Sequence, residues 1–385
     1  MNNKINKPLE GILVIDFSQY LSAPSASLRL ADLGACVIKI EQPNTGDRCR
    51  SLYFSNLVMN DESSMFHAIN RNKLSYQADM KNQTEREKVY KLIQQADVLI
   101  HNFRPGVVER LGIDYNTITS IQPDIVYAEL SGYGKEGVWK DKPGLDLLIQ
   151  SISGLTQLNG NEGDGPVPIG LGVVDILSGA HLCQGILACL FRKTSGGQGG
   201  RVEVSMLESA LEYQFESVTA YFCDGGEPTV RPKTNSAHAY LGAPYGVYPT
   251  NNGFIALAMG QIPVLGELLG CPSLKKYPQP ASWFTQRDEI KEILSDHLKT
   301  KNTQDWLDVL EPADIWCAEV MDWKTLFDTE AFKMLNMIQE VTMRDGYRFK
   351  TTRCPIQING EWLTSECGTP KLGENTEEIK KKFSL

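Results

Sequence analysis

The stretch that decides the fold runs from Gly11-Ile-Leu-Val-Ile-Asp16, through the small-residue segment Pro24-Ser-Ala-Ser-Leu-Arg-Leu-Ala-Asp-Leu33, to Ala35-Cys-Val-Ile-Lys-Ile40. The outer runs are short and mainly apolar, too short for helices, and the segment between them has helical length. That order predicts a βαβ unit. The same alternation continues with a charged helical stretch at 83–95, then Asp97-Val-Leu-Ile-His101 and Asp124-Ile-Val-Tyr-Ala128. Strands alternating with helices imply a parallel sheet covered on both faces, so the large domain is read as Rossmann-like α/β.

Farther along, a long helix is predicted over 177–192. It is ended by Ser195-Gly-Gly-Gln-Gly-Gly200, which leads into a strand, Arg201-Val-Glu-Val-Ser205, and a further helix over 207–222. From about residue 225 the texture turns to Pro, Gly and turn residues. Ala243-Pro-Tyr-Gly-Val-Tyr248 and Phe254-Ile-Ala-Leu-Ala258 flank Thr250-Asn-Asn-Gly253, the pattern of a hairpin. Amphipathic helices are expected at 287–298 and 303–310, and short strand-like runs after Met334. A smaller α+β domain is therefore expected. The boundaries are 1–198 for the large domain, completed by 344–385, with a linker at 199–228, the small domain at 229–322 and a return linker at 323–343.

At 385 residues, 42% of them apolar and 22% charged, the chain is long enough for two domains with their own cores. Its 38 Lys and Arg are outnumbered by 47 Asp and Glu, and a net charge of -9 repels a phosphate backbone, so no nucleic-acid partner is expected. Nine cysteines occur singly with no C-x-x-C pair, which indicates neither a disulfide framework nor a zinc ribbon. A reducing cytoplasm suits them. Residues 1–10 are polar and lack the apolar core of a secretory signal. The weakly charged stretch 169–190 has the length of a membrane span, but it carries Asp175, His181, Gln184 and four glycines, so it is read as buried protein interior and no membrane partner is expected.

The first βα connection is not a dinucleotide loop. Phe17-Ser-Gln-Tyr-Leu-Ser-Ala-Pro-Ser-Ala-Ser27 contains no glycine, and a pyrophosphate needs glycines to approach the backbone, although Glu41 stands where a ribose-binding acid would. Ser22 as N-cap with Pro24 in the first turn would still present helix N–H groups to an anion, although the simpler reading is a plain cap.

A second glycine-bearing segment, Gly170-Leu-Gly172-Val-Val-Asp175, puts an acid just before the helix that contains Ser178, Gly179 and His181. A carboxylate near a helix N-terminus is expected to be held ionised by the dipole, which makes it a ready nucleophile without a partner base. For an isolated acid in that place, an Asp N-cap is the simpler reading. His181, a turn beyond, reads as a packed helix residue.

Several segments together resemble one family. Pro8-Leu-Glu-Gly-Ile-Leu-Val-Ile-Asp-Phe17, Leu33-Gly-Ala-Cys-Val-Ile-Lys-Ile-Glu41 with Gly46-Asp47, and Ala96-Asp-Val-Leu-Ile-His-Asn-Phe-Arg-Pro-Gly106 with Arg110-Leu-Gly112 are similar, in order, to blocks of the class III CoA-transferases, also called CaiB/BaiF. So are the segment 173–181 and Gly373-Glu-Asn-Thr-Glu-Glu378. The resemblance, of the formyl-CoA transferase and carnitine CoA-transferase type, spans essentially the whole chain.

It implies a transfer of CoA between an acyl-CoA donor and a carboxylic acid acceptor, with Asp175 as the nucleophile. An acyl-aspartyl anhydride and an aspartyl-CoA thioester would form in turn, with no metal or permanently bound cofactor; coenzyme A enters as substrate. Matched by position, the family's CoA contacts fall on Leu21, Ser22, Gln42, Ala78 through Lys81, Asn102, Phe103, Arg104, Arg110, and the turn from Lys142 through Leu145 to Asp146. Lys81, Arg110 and Lys142 would meet phosphates and Phe103 the adenine, although any one of these cations alone reads as a solvated surface group. The resemblance also implies an intertwined homodimer.

Three departures bear on the reaction. Gln42 replaces an arginine of formyl-CoA transferase. The α-methylacyl-CoA racemases of the same superfamily use a histidine in a Gly-His-Asp turn, and here Gly144-Leu145-Asp146 puts a leucine there, which cannot exchange protons. A racemase-like isomerase and a non-catalytic CoA-binding protein are the alternative readings. Of the glycine run that covers the formyl-CoA transferase site, only Gly260-Gln261 has a counterpart, as substrate contacts. That leaves the acyl group open. Tyr240, Tyr245 and Tyr248 can line an acyl pocket, though aromatics on a hairpin more often belong to a core.

Overall fold

The computed structural model describes residues 7–385, so the start of the segment read as lacking a secretory signal, residues 1–6, lies outside the described residues. Six parallel strands form the central sheet: β1 (Leu13–Asp16), β2 (Cys36–Glu41), β3 (Leu74–Gln77), β4 (Val98–His101), β5 (Val126–Ser131) and β6 (Gly200–Ser205). Their spatial order is β3-β2-β1-β4-β5-β6. Chain order reverses on either side of β1, as in doubly wound sheets, where ligands bind at the carboxyl ends beside the reversal. In register, Asp16 on β1 pairs with Lys39 on β2 and Ile100 on β4. β3 was not foreseen, because Leu-Ser-Tyr-Gln is short and only half apolar.

Alternation along the strands sorts the two faces. Leu13, Ile15, Ile38, Ile40, Tyr76, Leu99 and Tyr127 enter one apolar core together with Val89, Leu92 and Ile93 of α2 (Gln83–Ile93), Ile118 of α3 (Tyr115–Ile121), and Ile379 near the C-terminus. The other face packs against α1 (Ser22–Asp32) and α5 (Val173–Thr194), which also pack on each other. Between α3 and α5 in the chain lies α4 (Asp146–Ile152). Cover on the first face gives way at β5 and β6 to charge: Arg201 Nε donates to Glu129 Oε1 at 2.6 Å, and Lys135 pairs with Glu129 and Glu203.

Helix α5 is long and apolar enough to cross a membrane. One side of it packs on α1 and on β5 and β6. A Cβ on Gly179 would stand 2.0 Å from Ser25 Oγ of α1 and 2.4 Å from Ser22 O, and one on Gly185 would stand 2.4 Å from Val202 of β6. Glycine is what lets α5 lie this close to both.

The chain divides into two compact units, one comprising 7–149, 172–213 and 335–385, the other 150–171 and 214–334. Strand β6 of the central sheet, within 200–205, and the helix α6 (Met206–Tyr213) occupy the segment expected to be linker. The helix expected over 207–222 is broken at Gln214 (φ -96°, ψ 16°), and resumes as α7 (Phe215–Cys223). The return segment holds two short helices, Trp323–Asp328 and Glu330–Leu335, and the tail adds a hairpin, Ile338–Thr342 with Arg348–Thr352.

In the second unit β7 (Gly246–Pro249) and β8 (Phe254–Leu257) pair antiparallel around the expected turn, and β9 (Cys317–Glu319) joins β8. The helices α8 (Ile262–Leu268), α9 (Arg287–Leu298) and α10 (Thr303–Leu310) bury Ile262, Leu265, Ile290, Leu294 and Trp306 against them. Tyr248 belongs to this core, fully buried with its hydroxyl on Pro244 O at 2.6 Å.

Candidate active site

The acid singled out in the sequence sits in the first turn of α5, whose helical residues begin at Val173, four positions earlier than expected. Asp175 therefore is not the N-cap. Gly172 holds that position and offers no side-chain cap. The cap comes from elsewhere: Asp146 Oδ1, at the start of α4, accepts the N–H groups of Val174 at 2.7 Å and Asp175 at 3.2 Å. A carboxylate on the first free amides of a helix is a strong partner for them.

Two glycines place Asp146 there. An added Cβ would meet the opposite Cα at 2.7 Å from Gly132, which follows β5, and at 2.5 Å from Gly144, two residues before Asp146. Backbone touches backbone, so the 144–146 turn is pressed against the carboxyl end of β5. Leu145 is 57% exposed. It is a non-titratable side chain beside the acid.

The expectation that the helix dipole keeps Asp175 ionised is overturned. Burial, followed by the nearby negative charge of Asp146, pushes its carboxyl up to about 7, against the weaker opposing effect of a hydrogen bond from Ser22. Desolvation and like charge outweigh the dipole here, in part because Asp146 already occupies the amides through which the dipole would act. Ser22 is likewise not an N-cap. Leu21 takes that position in an αR conformation without a side-chain cap, and Ser22 is the first helical residue, its hydroxyl turned to Asp175. An added Cβ on Gly172 would stand 2.8 Å from Leu21 Cδ2 and 3.5 Å from Asp175 Oδ2, so glycine keeps the space above the acid clear.

From Ser22 the backbone leads back to a cavity of about 110 Å³ at the carboxyl ends of β1 and β2. It is lined by Gln42, Ala78 and Phe103 among the expected CoA contacts, together with Phe17, Gln19, Met80 and Leu111. Asn102 fixes its rim, accepting the Gln19 N–H on Oδ1 at 2.9 Å and donating from Nδ2 to Gln19 O at 2.8 Å. Phe103 stacks on His101 at 6.0 Å between centroids. Arg110 lies in the short helix Val107–Leu111, bounded by Gly106 (φ 78°) and Gly112 (φ 70°), where a positive φ favours glycine. Lys81, Arg104 and Arg110 are exposed. Lys142 is also exposed, and its ammonium lies over the Trp139 ring at 5.2 Å.

Glu41 does not await a ribose. It is buried, with Oε2 accepting Arg50 Nε at 2.8 Å and Asp47 N at 2.9 Å, and Oε1 accepting the Ser75 hydroxyl at 2.7 Å. Lys39 pairs with Asp47 at 2.8 Å, and Lys73 Nζ donates to Ser27 Oγ at 2.8 Å and Asn70 Oδ1 at 2.9 Å. These buried ions set the 41–50 loop and the start of α1. The sequence reading missed them, because apolar runs such as Val-Ile-Lys-Ile hide a buried lysine. It also took Asp146 only for a ligand contact, although that residue caps α5 beside Asp175. His181 is packed as expected, its Nδ1 3.0 Å from Ser209 Oγ.

Gly260 and Gln261 belong to the second unit, between β8 and α8, where Gln261 occupies the N-cap position of α8. They line a cavity of about 410 Å³ with Tyr245, Met259, Trp283 and Phe284. Tyr240 instead lines a separate cavity with Tyr221 and Arg231.

Residues 9–376 match the family described as CoA-transferase family III. The succinate–glutarate CoA-transferase of Agrobacterium fabrum is 28% identical over 382 residues, covering 97% of this chain and 94% of that protein. The acetyl-CoA:oxalate CoA-transferase of Acetobacter aceti is 29% identical over 388 residues, 98% and 96% of the two chains. A crystal structure of a CaiB/BaiF family protein from Brucella suis superimposes with a TM-score of 0.85 at 26% identity, over 98% of this chain and 100% of that one.

Proposed function

Because the chain belongs to CoA-transferase family III, an assignment carried by the match across residues 9–376, we propose that Asp175 is the nucleophile of a CoA exchange between an acyl-CoA and a free carboxylic acid. The observation that carries this reading is a half-buried carboxyl in the first turn of α5, its titration raised by burial and by Asp146, with the space above it kept clear by Gly172.

In the reading, an Asp175 oxygen attacks the thioester carbonyl and expels CoA thiolate, leaving an acyl-aspartyl anhydride. The thiolate attacks the aspartyl carbonyl of that anhydride and releases the donor acid as its carboxylate. An acceptor carboxylate attacks the aspartyl-CoA thioester, giving a new anhydride and thiolate. The thiolate then takes the acceptor's acyl carbon, and Asp175 leaves as the free carboxylate. No proton or electron is gained or lost over the cycle. A partly desolvated carboxylate is a better nucleophile than a hydrated one, and the raised value of Asp175 reflects that desolvation.

The nucleotide end of the thioester would lie against the cavity of Gln42, Ala78 and Phe103, with Arg104, Arg110, Lys81 and Lys142 as cations for its phosphates. Binding energy from that distant end holds the thioester in attack geometry. A homodimer forms part of the reading. Phe191 in the first unit, and Phe222, Trp323 and Met334 in the second, are each more than 70% exposed, and apolar surface of that kind favours a partner. We place the reaction in the cytoplasm, which nine unpaired cysteines suit.

The test is to incubate the protein with an acyl-CoA and hydroxylamine, then digest it. A hydroxamate on the peptide containing Asp175, with exchange lost and CoA-ester binding kept in Asp175→Ala, is the expected result. Full exchange by Asp175→Ala would remove the assignment.

A further inference from the structure

Tyr20 has φ 66°, in the left-handed region that a bulky residue rarely adopts. Its ring is 38% exposed, so packing of the ring is not what holds the turn. The backbone is held instead. Tyr20 N donates to Asp47 Oδ1 at 3.1 Å, Asn102 binds both the N–H and the carbonyl of Gln19, and Leu21 O accepts Ser25 N at 2.9 Å. Strain that the surrounding structure over-determines in this way collects at working sites.

What the turn delivers is Leu21. Its Cδ2 and Asp175 Oδ2 border one space, left open because Gly172 has no Cβ, and stand 2.8 Å and 3.5 Å from the point such a Cβ would occupy. Leu21 also packs against the buried cluster of Cys49, Met65, Phe66 and Ile69, which braces it in place. All of these residues belong to the first compact unit. A leucine methyl group offers a water molecule no partner, and an ordered water needs about two to four.

In the exchange proposed above, Asp175 passes through anhydride and thioester forms, and each is open to water. Water adding to the anhydride breaks its bridging C–O bond and gives two carboxylates and two protons. Water adding to the aspartyl-CoA thioester breaks the C–S bond and gives the Asp175 carboxylate, CoA thiol and a proton. Either event consumes the acyl-CoA without transfer. We infer that Leu21 keeps water from the acylated Asp175 and thereby sets the ratio of transfer to hydrolysis. The inference rests on the transferase reading above.

The test uses purified full-length protein with acetyl-CoA, succinyl-CoA and 3-methylbutanoyl-CoA in turn, each with its own isotopically labelled acid. Label entering the CoA ester measures transfer without a second acid having to be identified, and sustained release of CoA thiol measures hydrolysis. Leu21→Ala is expected to raise the ratio of hydrolysis to transfer about tenfold or more, because excluding water is what protects a reactive intermediate. Leu21→Val, a smaller change that withdraws the Cδ atoms, should move the ratio in the same direction and decides the matter if the alanine variant does not fold. Leu21→Met, which keeps the apolar reach, should hold the ratio of the parent. The added hydrolysis should vanish when Asp175→Ala is combined with Leu21→Ala. Loss of both rates together with an unchanged ratio, a methionine variant as leaky as the alanine one, or hydrolysis that survives the loss of Asp175 would overturn the inference and leave the transferase reading intact. No label in any ester, and no hydroxamate on Asp175, would overturn both.

Discussion

Asp146 Oδ1 accepts the backbone N–H of Asp175 at 3.2 Å, and the charge on the same carboxylate helps to push the Asp175 side chain up to about 7. One acid thus holds the backbone of the other in place and opposes its ionisation. Capping carboxylates ordinarily serve only the helix; here the capped first turn also carries Asp175.

The pH dependence of exchange follows from the sign of that shift. In the proposed exchange Asp175 acts as the charged form, so kcat/KM for acyl-CoA should rise with pH through about 7 and level off above it. Stability runs the other way. Between the ordinary value of 3.8 and about 7 the folded chain holds a proton on Asp175 that the unfolded chain has released, so this residue's contribution falls as pH rises through that window. Exchange rates and melting temperatures from pH 5 to pH 9, with Asp175→Asn as reference, check both; the variant should melt roughly 1–3 °C higher than the parent at pH 8.

Asp146→Asn separates the cap from the charge. An asparagine oxygen still accepts the Val174 and Asp175 amides, since Asn caps helices as well as Asp does. Without the negative charge the ascending limb of the pH profile should move down by roughly half a unit to one unit. An unmoved limb in a folded variant would show that burial alone sets the Asp175 value.

Gly179→Ala tests the approach of α1 to α5. Its Cβ would press on Ser22 O and Ser25 Oγ, both backed by helix, so the two helices must part. A loss of about 1–3 kcal/mol in denaturant unfolding is expected, as for an overpacked core. Exchange should fall as well, because Ser22 carries the hydroxyl that meets Asp175.

Asn102→Ala tests the rim of the small cavity. Both ends of the Asn102 amide are held by the Gln19 backbone, so the variant frees the segment that joins the cavity to Ser22. KM for acyl-CoA should rise about tenfold with kcat changed less than threefold, the signature of weakened ground-state binding. Steady-state kinetics at a saturating acceptor concentration measure the split.

Most of the sheet was legible because buried parallel strands are predominantly apolar runs: β1, β2, β4 and β5 all read that way. Strand β3 escaped because it packs beside the C-terminal segment, where Ser75 N donates to Asn375 Oδ1 at 3.0 Å across 300 residues of chain. The break at Gln214 escaped because nothing in its local composition stops a helix. Asp175 was found as an acid behind glycines, yet its protonation was misjudged, since the local pattern contains the helix dipole but not a carboxylate 29 residues earlier.

The sequence alone determined the alternating architecture, the excess of acid that argues against nucleic acid, and an aspartate in a glycine-bearing turn, because periodicity, net charge and local chain chemistry are properties of neighbours along the chain. Only the tertiary structure decided that Asp146 rather than Asp175 caps α5, that Glu41 and Lys39 are buried ion-pair members, and that the cations Arg287 and Lys291 are buried on main-chain carbonyls. Each of these depends on which groups share a desolvated space, and that is fixed by the packing of segments that are distant along the chain.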